Sequence, residues 1–79
     1  VPRELDVRGM TVDEALLDLE RYLDDAALAQ FDQVRVIHGK GTGALRRGIH
    51  DFLRRHPQVR DFHLAEREDG GEGATVVVL

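Results

Sequence analysis

The hydrophobic pattern of the chain begins with the two-residue period of a strand and then changes to the period of a helix. Leu5–Arg8 alternates between apolar and polar residues, and Gly9 ends the alternation. Thr11 has the character of a helix N-cap, because Glu14 follows three residues later and completes a capping box. Apolar residues then recur at helical spacing, at Val12, Leu16, Leu19, Leu23 and Ala26. The pattern predicts a short strand followed by a helix over residues 12–29.

A second strand and a second helix are predicted on either side of a glycine-rich turn. Residues 33–38 contain a β-branched run that is typical of a buried strand. After the glycines, apolar residues form one helical stripe that ends before Pro57, and they are Leu45, Ile49, Phe52 and Leu53. Alternation over residues 59–67 and an apolar run over residues 74–79 predict two further strands. Residues 69–71, with the sequence Asp-Gly-Gly, are a hairpin signal between them.

The order of elements, βαβαββ, predicts an α/β fold, a two-layer sandwich with both helices on one face of a four-stranded mixed sheet. We expect the first three strands to be parallel neighbours joined by right-handed crossovers, with the fourth strand antiparallel. In open sheets of this kind, functional sites form beyond the carboxyl ends of the strands. Arg8-Gly9 and His38-Gly39 both fall at such ends. The predicted fold therefore brings these two pairs of residues to one edge of the sheet.

The composition narrows the class of protein. A length of 79 residues allows one domain, and the lack of cysteine excludes disulfides and thiolate metal sites. No apolar run approaches the roughly 20 residues that a membrane-spanning helix needs, so we expect a cytoplasmic protein without membrane contact. The chain does not begin with Met, and we expect residues 1–79 to be the C-terminal domain of a longer protein.

The charges divide along the chain, although the net charge is only −4. Residues 11–32 contain seven acidic residues and one arginine, whereas residues 35–60 contain seven basic residues and one aspartate. A field that changes sign along the chain can still present one basic face to phosphates. The local charge therefore leaves nucleic acid open as a partner despite the acidic total.

Three glycines alternate with other residues in the turn before the second helix. Gly39, Gly41 and Gly43 permit backbone conformations that are closed to other residues, and they leave room for an anion near the backbone amides. Together with Lys40 and Thr42 they form a candidate phosphate-binding turn. The order of residues is not that of a Walker A loop. The alternative is a sharp turn that needs glycine only for positive φ.

His38 is the candidate for proton transfer, because an imidazole titrates close to neutral pH. If the first two strands pair, Asp6 or Arg8 lies close to it. Asp6 is then expected to orient the imidazole, while Arg8 and Lys40 offset the charge that develops on a phosphate. The alternative for His38 is a capping histidine that is hydrogen-bonded to the backbone.

A basic face is predicted on the second helix, opposite its apolar stripe. It consists of Arg46, Arg47, His50 and Arg54. This face is able to follow a phosphate backbone, and the alternative is a solvated helix surface. The aromatic residues have the pattern of core positions, so we expect contact with the nucleic-acid backbone and little reading of base sequence.

The spacing of residues indicates no metal site. His50, His56 and His63 lack the spacing of zinc ligands. The acidic residues of the first helix are expected to form a solvated face, and nothing singles out one of them as a magnesium ligand. We therefore expect no cofactor within the domain and Mg²⁺ or Mn²⁺ only as an aid to DNA cleavage.

Two segments resemble the signatures of one family. Residues 5–9, Leu-Asp-Val-Arg-Gly, and residues 36–43, Val-Ile-His-Gly-Lys-Gly-Thr-Gly, together resemble the Smr (small MutS-related) domain. More narrowly, they are similar to the C-terminal Smr domain of bacterial MutS-II proteins, and the resemblance covers essentially the whole chain. It implies a fold similar to the C-terminal domain of translation initiation factor three. It also implies binding to DNA or RNA and, in several members, endonuclease activity.

The resemblance carries functional roles onto individual positions. The positions that match are Asp6, Arg8, His38, Gly39 and Gly41, with Lys40 flanking them. Arg8 stands where members that cleave mRNA on stalled ribosomes have histidine, and an arginine cannot donate a proton near neutral pH. The resemblance therefore favours DNA nicking or plain binding over RNA cleavage.

Three hypotheses of function follow. The first is a non-sequence-specific endonuclease that nicks DNA, attached to a MutS-like ATPase region in recombination control or DNA repair, with His38 moving protons. The second is a binding module without catalysis, for DNA, RNA or the ribosome, with RNA cleavage in the rescue of stalled ribosomes as a further alternative. The third, a binder of small phosphorylated molecules, ranks last because so small a domain has little volume for a deep pocket.

Overall fold

The computed structural model describes all residues 1–79 and contains two helices and four strands. The strands are β1 (Glu4–Asp6), β2 (Gln33–Ile37), β3 (Asp61–Leu64) and β4 (Ala74–Val78). The helices are α1 (Val12–Leu28) and α2 (Ala44–Arg55), and two short 3₁₀ turns, Arg67–Asp69 and Gly71–Gly73, connect β3 to β4. This βαβαββ order and the four-stranded mixed sheet confirm the predicted fold class.

The local signals predicted for the start of α1 and the end of α2 are present in the structure. Thr11 Oγ1 accepts from the Glu14 amide at 3.2 Å, and the Glu14 carboxylate accepts from the Thr11 amide at 2.9 Å. This reciprocal pair is the capping box expected from the sequence. Helix α2 begins without a side-chain cap, directly after Gly43, and ends before Pro57. The glycine turn therefore runs straight into the first turn of α2.

The strand order is β1-β2-β4-β3, which corrects one part of the predicted topology. Strands β1 and β2 are parallel neighbours as expected, but β4 lies antiparallel between β2 and β3. The prediction that β3 lies beside β2 is wrong. Strand β4 is a run of apolar and β-branched residues that suits a strand with a neighbour on each side, whereas β3 carries Asp61 and His63 and takes the edge.

The core lies between the sheet and the two helices, which pack against each other. The strands contribute Val34, Val36 and Val77, and Val7 follows β1 directly. The helices contribute Leu19, Leu23, Ile49 and Leu53. At the contact between the helices, a β-carbon on Gly48 would lie 2.6 Å from Cγ1 of Val12. The absence of a side chain at Gly48 thus allows α2 to approach α1 closely. Neither helix is both long and apolar enough to cross a membrane.

Candidate nucleic-acid interface

Two loops at the carboxyl ends of β1 and β2 form a cleft of about 550 Å³. Because β1 and β2 are parallel and Asp6 pairs with Ile37, both strands end at the same edge of the sheet. Residues 8–12 line one side of the cleft and residues 38–46 line the other. The structure therefore brings the two predicted strand ends together.

The glycine turn forms one wall of this cleft. Gly39, Gly41 and Gly43 have φ values of 76°, 38° and 85°, which favour glycine over residues with a side chain. The amides of His38 and Gly39 both donate to the carbonyl oxygen of Gly73, at 3.0 and 2.9 Å. The next three amides, those of Lys40, Gly41 and Thr42, have no hydrogen-bond partner within the protein. The turn therefore needs glycine for its positive φ values, as the second alternative expected, while phosphate binding by its unpaired amides stays a prediction.

Three cationic side chains line the same cleft, those of Arg8, Lys40 and Arg46. Arg8 is held by Asp6, whose carboxylate accepts from Nε at 3.0 Å and from a terminal guanidinium nitrogen at 2.7 Å. The Arg8 side chain and then its backbone amide lower the pKa of Asp6 to about 2. Asp6 therefore remains charged and fixes the direction of the Arg8 guanidinium.

Asp6 does not contact His38, which corrects the expectation that it orients the imidazole. All hydrogen bonds of the Asp6 carboxylate go to Arg8. The reason is the pleat of the sheet, in which successive side chains point to opposite faces. Asp6 pairs with Ile37 and faces away from the helices, whereas His38 follows Ile37 by one residue and lies on the helix side.

His38 lies at the floor of the cleft and is only 4% exposed. Its Nδ1 lies 2.8 Å from the carbonyl oxygen of Gly39, and its Nε2 lies 2.8 Å from Oγ1 of Thr75. Both ring nitrogens are therefore engaged within the protein. This geometry corresponds to the alternative of a histidine bonded to backbone, and it leaves neither nitrogen facing a bound phosphate.

Thr75 is a residue that the sequence reading missed. It is fully buried in β4, where it pairs with Val36, and it contacts both His38 and His50 through one hydroxyl. The available signal was a single polar residue within an apolar strand. A buried hydroxyl needs a partner, so such a threonine points to a polar contact inside the fold.

The predicted basic face of α2 is present as one surface. A second, shallow cavity of about 240 Å³ is lined by Arg46, Arg47, His50, Asp51 and Arg54. Arg46 lines both this cavity and the cleft, which makes the two a continuous surface. Asp51 pairs with Arg54 at 2.6 Å and offsets part of the charge. We call the cleft and this helix face together the basic surface.

His50 differs from the arginines beside it because its ring is partly buried. Its Nε2 lies 2.8 Å from Oγ1 of Thr75, and its ring centroid lies 5.0 Å from that of Phe62. Burial lowers the pKa of His50, and the neighbouring His38 ring and the guanidinium groups of Arg54 and Arg46 lower it further. His50 is therefore neutral at pH 7 and adds no charge to the three arginines of this helix face.

The acidic and histidine side chains offer no ready-made cluster of metal ligands. No group of three or more histidine, aspartate or glutamate side chains converges in the structure. The Asp6 carboxylate at the edge of the cleft is occupied by Arg8.

The fold and the site define a small α/β domain with a basic cleft at the ends of two parallel strands. A family model described as "Smr domain" matches residues 5–79. The chain belongs to the Smr domain family, which confirms the resemblance drawn from the two motifs.

Among proteins that contain such a domain, the chain is similar to the MutS2 proteins of bacteria. The chain is 57% identical over 76 residues to Endonuclease MutS2 of Pelotomaculum thermopropionicum and 51% identical over 76 residues to that of a Geobacillus species. Each alignment includes 96% of this chain but only 10% of the relative. The domain thus spans about a tenth of the curated relatives it matches.

Two solved structures have the same fold, and one of them also has nearly the same length. The Smr domain of Thermus thermophilus MutS2 has a TM-score of 0.96 at 46% identity and covers 99% of this chain and 98% of that one. YdaL, a stand-alone small MutS-related protein from Escherichia coli, has a TM-score of 0.92 at 24% identity and shows the fold alone. The match includes 98% of this chain and 63% of YdaL.

Proposed function

We propose that this domain binds the sugar–phosphate backbone of DNA on the basic surface and nicks one strand there. The observation that carries the proposal is the convergence of three cations and three free amides in one cleft. The cations are Arg8, Lys40 and Arg46, and the amides are those of residues 40–42. Relatives named Endonuclease MutS2 support the same proposal. The domain would act for a longer MutS-like protein in recombination control or DNA repair.

Binding would depend on phosphates and shape and would not depend on base sequence. Phosphates are stabilised by guanidinium and ammonium groups and by amides at the start of a helix, and all of these occur here. Base stacking needs exposed aromatic rings. Tyr22 is buried, and Phe31, Phe52 and Phe62 pack against the core, so none is presented for stacking. The expected footprint is therefore non-specific duplex or branched DNA.

Cleavage needs stabilisation of charge and a group that accepts a proton from water. Arg8 and Lys40 would offset the charge on the phosphate in the transition state. His38 would need to break one of its two hydrogen bonds before it could accept a proton at a substrate. A side chain on the basic surface with a free lone pair would accept this proton without such a rearrangement.

A second candidate function is a binding module without catalysis, for DNA, RNA or the ribosome. The observation that favours it is the burial of His38 with both nitrogens engaged. RNA cleavage in ribosome rescue is supported less well, since Arg8 cannot donate a proton at neutral pH.

A plasmid assay distinguishes the two functions. The purified domain is incubated with supercoiled plasmid in Mg²⁺, Mn²⁺ or EDTA, and a parallel gel measures retardation of duplex DNA. The matching solved domain of Thermus thermophilus supports the use of the domain by itself. We expect the wild type to nick the plasmid and to retard duplex DNA. The double variant Lys40→Ala/Arg46→Ala should lose both activities. Retardation without nicking by the wild type would leave the binding module in place of the nuclease.

A further inference from the structure

A continuous chain of hydrogen bonds joins the floor of the cleft to the basic face of α2. Nε2 of His38 and Nε2 of His50 each lie 2.8 Å from Oγ1 of Thr75. A hydroxyl has one hydrogen, so it can donate to only one of the two imidazoles. Thr75 must accept from the other ring. The two histidines therefore hold complementary protonation patterns where they meet Thr75.

The carbonyl oxygen of Gly39 decides which histidine donates. Nδ1 of His38 lies 2.8 Å from this oxygen, which can only accept, so Nδ1 carries the hydrogen. In neutral His38, Nε2 is then an acceptor and takes the hydrogen of Thr75. The Thr75 oxygen in turn accepts from Nε2–H of His50. The hydrogen bonds consequently run in one direction, from His50 through Thr75 and His38 to Gly39.

This direction leaves Nδ1 of His50 without a hydrogen and with a free lone pair. Nδ1 has no hydrogen-bond partner within the protein, and no buried side-chain nitrogen or oxygen lacks one, so Nδ1 reaches solvent. His50 lines the shallow cavity together with Arg46, Arg47 and Arg54. An acceptor nitrogen thus lies among cations at which a phosphate would bind.

The surroundings of His50 keep its ring neutral. Burial lowers the pKa of His50, and positive charge on neighbouring residues has the same effect, while Asp51 of α2 opposes it. The neighbours that act in this direction are the ring of His38, which follows β2, and the guanidinium groups of Arg54 and Arg46 on α2. Thr75 of β4 and Phe62 of β3 complete its surroundings. At neutral pH the lone pair is therefore available to a proton.

We propose that His50 is the proton acceptor of the nicking reaction and that Thr75 and His38 are positioning residues that fix its tautomer. The inference rests on the proposed nicking function. Water attacks the phosphorus of a phosphodiester on the basic surface and gives one proton to Nδ1 of His50. The bond between phosphorus and the leaving sugar oxygen breaks, and this oxygen takes a proton from solvent. One hydroxyl and one phosphate monoester are formed, and His50 returns its proton to solvent.

The tautomers are measurable without any substrate. In a ¹⁵N-histidine-labelled domain, long-range ¹H–¹⁵N correlation spectra at pH 7.5 should show hydrogen on Nε2 of His50 and on Nδ1 of His38. Thr75→Val keeps the shape of the side chain without its hydroxyl, and it should abolish the fixed tautomer of His50. Thr75→Ser should restore it. A wild-type His50 with its hydrogen on Nδ1 would overturn the inference.

Nicking of supercoiled plasmid tests the role of His50 in the reaction. We expect His50→Gln to lower the rate per bound plasmid by about 100-fold or more. Thr75→Val should lower it by about tenfold, and Thr75→Ser should recover most of that loss. His63→Gln is the matched control, because His63 is exposed on strand β3 and lines neither cavity of the basic surface.

The possible failures are distinguishable from one another. If His50→Gln nicks as fast as the wild type, the role of His50 falls while the proposed nicking function stands. If the wild type retards DNA but never nicks it, the proposed nicking function falls and the proton-acceptor role falls with it. If activity rises with pH in the wild type and in His50→Gln alike, another group accepts the proton and the inference is wrong.

Discussion

Removing two cations from the cleft should reduce the salt dependence of DNA binding by a calculable amount. Lys40 and Arg46 line the cleft, and neither forms an ion pair with an acidic residue of the domain. Each is therefore available to neutralise one phosphate. Each neutralised phosphate contributes about −0.9 to the slope of log affinity against log salt concentration. Lys40→Ala/Arg46→Ala should make the slope shallower by about 1.8.

The effect is large enough to measure over an ordinary salt range. Between about 50 and 200 mM salt, a slope of 0.9 corresponds to a change of roughly 3.5-fold in affinity. The factor by which affinity falls over that range should therefore be about 12-fold smaller in the double variant than in the wild type. Fluorescence anisotropy of a labelled duplex, titrated with the domain at several NaCl concentrations, gives the slope directly.

A charge-matched control separates local contact from net charge. Arg21 lies on the acidic helix α1 and lines neither cavity of the basic surface. Arg21→Ala should leave the slope within about 0.3 of the wild type, since it removes no phosphate contact. If Arg21→Ala and Arg46→Ala change the slope equally, DNA responds to net charge alone. The cleft would then not be the binding site.

Three further changes have expected outcomes. Asp6→Asn removes the carboxylate that competes with phosphate for Arg8, so DNA affinity by anisotropy should rise by about two- to fourfold. A fall would contradict this expectation and would show that Asp6 contributes more by orienting Arg8 than it costs by its charge. Gly48→Ala places a β-carbon 2.6 Å from Cγ1 of Val12, which should destabilise the domain by about 1 kcal/mol in urea unfolding, with Val12→Ala restoring the loss. Because the folded-state pKa of His50 is lowered, its stabilising contribution is complete above the unfolded value of about 6.5 and is lost as pH falls. Melting curves at pH 7.5 and 5 should show a smaller acid loss in His50→Gln, and an equal loss would contradict this assignment.

The parts of the fold that local patterns specify could be predicted from the sequence. The capping box at Thr11, the helical stripe of α1 and the end of α2 before Pro57 each depend on residues within a few positions. The meeting of Arg8 and His38 at one edge followed from the parallel pairing of β1 and β2. Those features define the cleft.

The insertion of β4 between β2 and β3 could not be predicted from local sequence patterns. Strand pairing joins residues far apart in sequence, and the alternation within β3 is compatible with either neighbour. The bridging role of Thr75 depends on that insertion, because only a strand beside β2 brings its hydroxyl to His38. The separation of Asp6 from His38, however, could have been predicted from the sequence. Val7 and Val36 are core residues, so the alternation of side chains places Asp6 on the opposite face.

The division of charge along the chain has a consequence for how a nucleic acid approaches the domain. Helices α1 and α2 pack side by side on one face of the sheet, but the exposed residues of α1 are mainly acidic and those of α2 are mainly basic. A phosphate backbone is repelled by the first and attracted by the second. The favourable path therefore follows α2 and enters the cleft from the side of Arg46, and this path passes His50. The acidic residues of α1 then weaken non-specific adhesion elsewhere, while the basic surface retains its own attraction. We therefore expect the two helices together to orient a bound strand toward His50, the proposed proton acceptor.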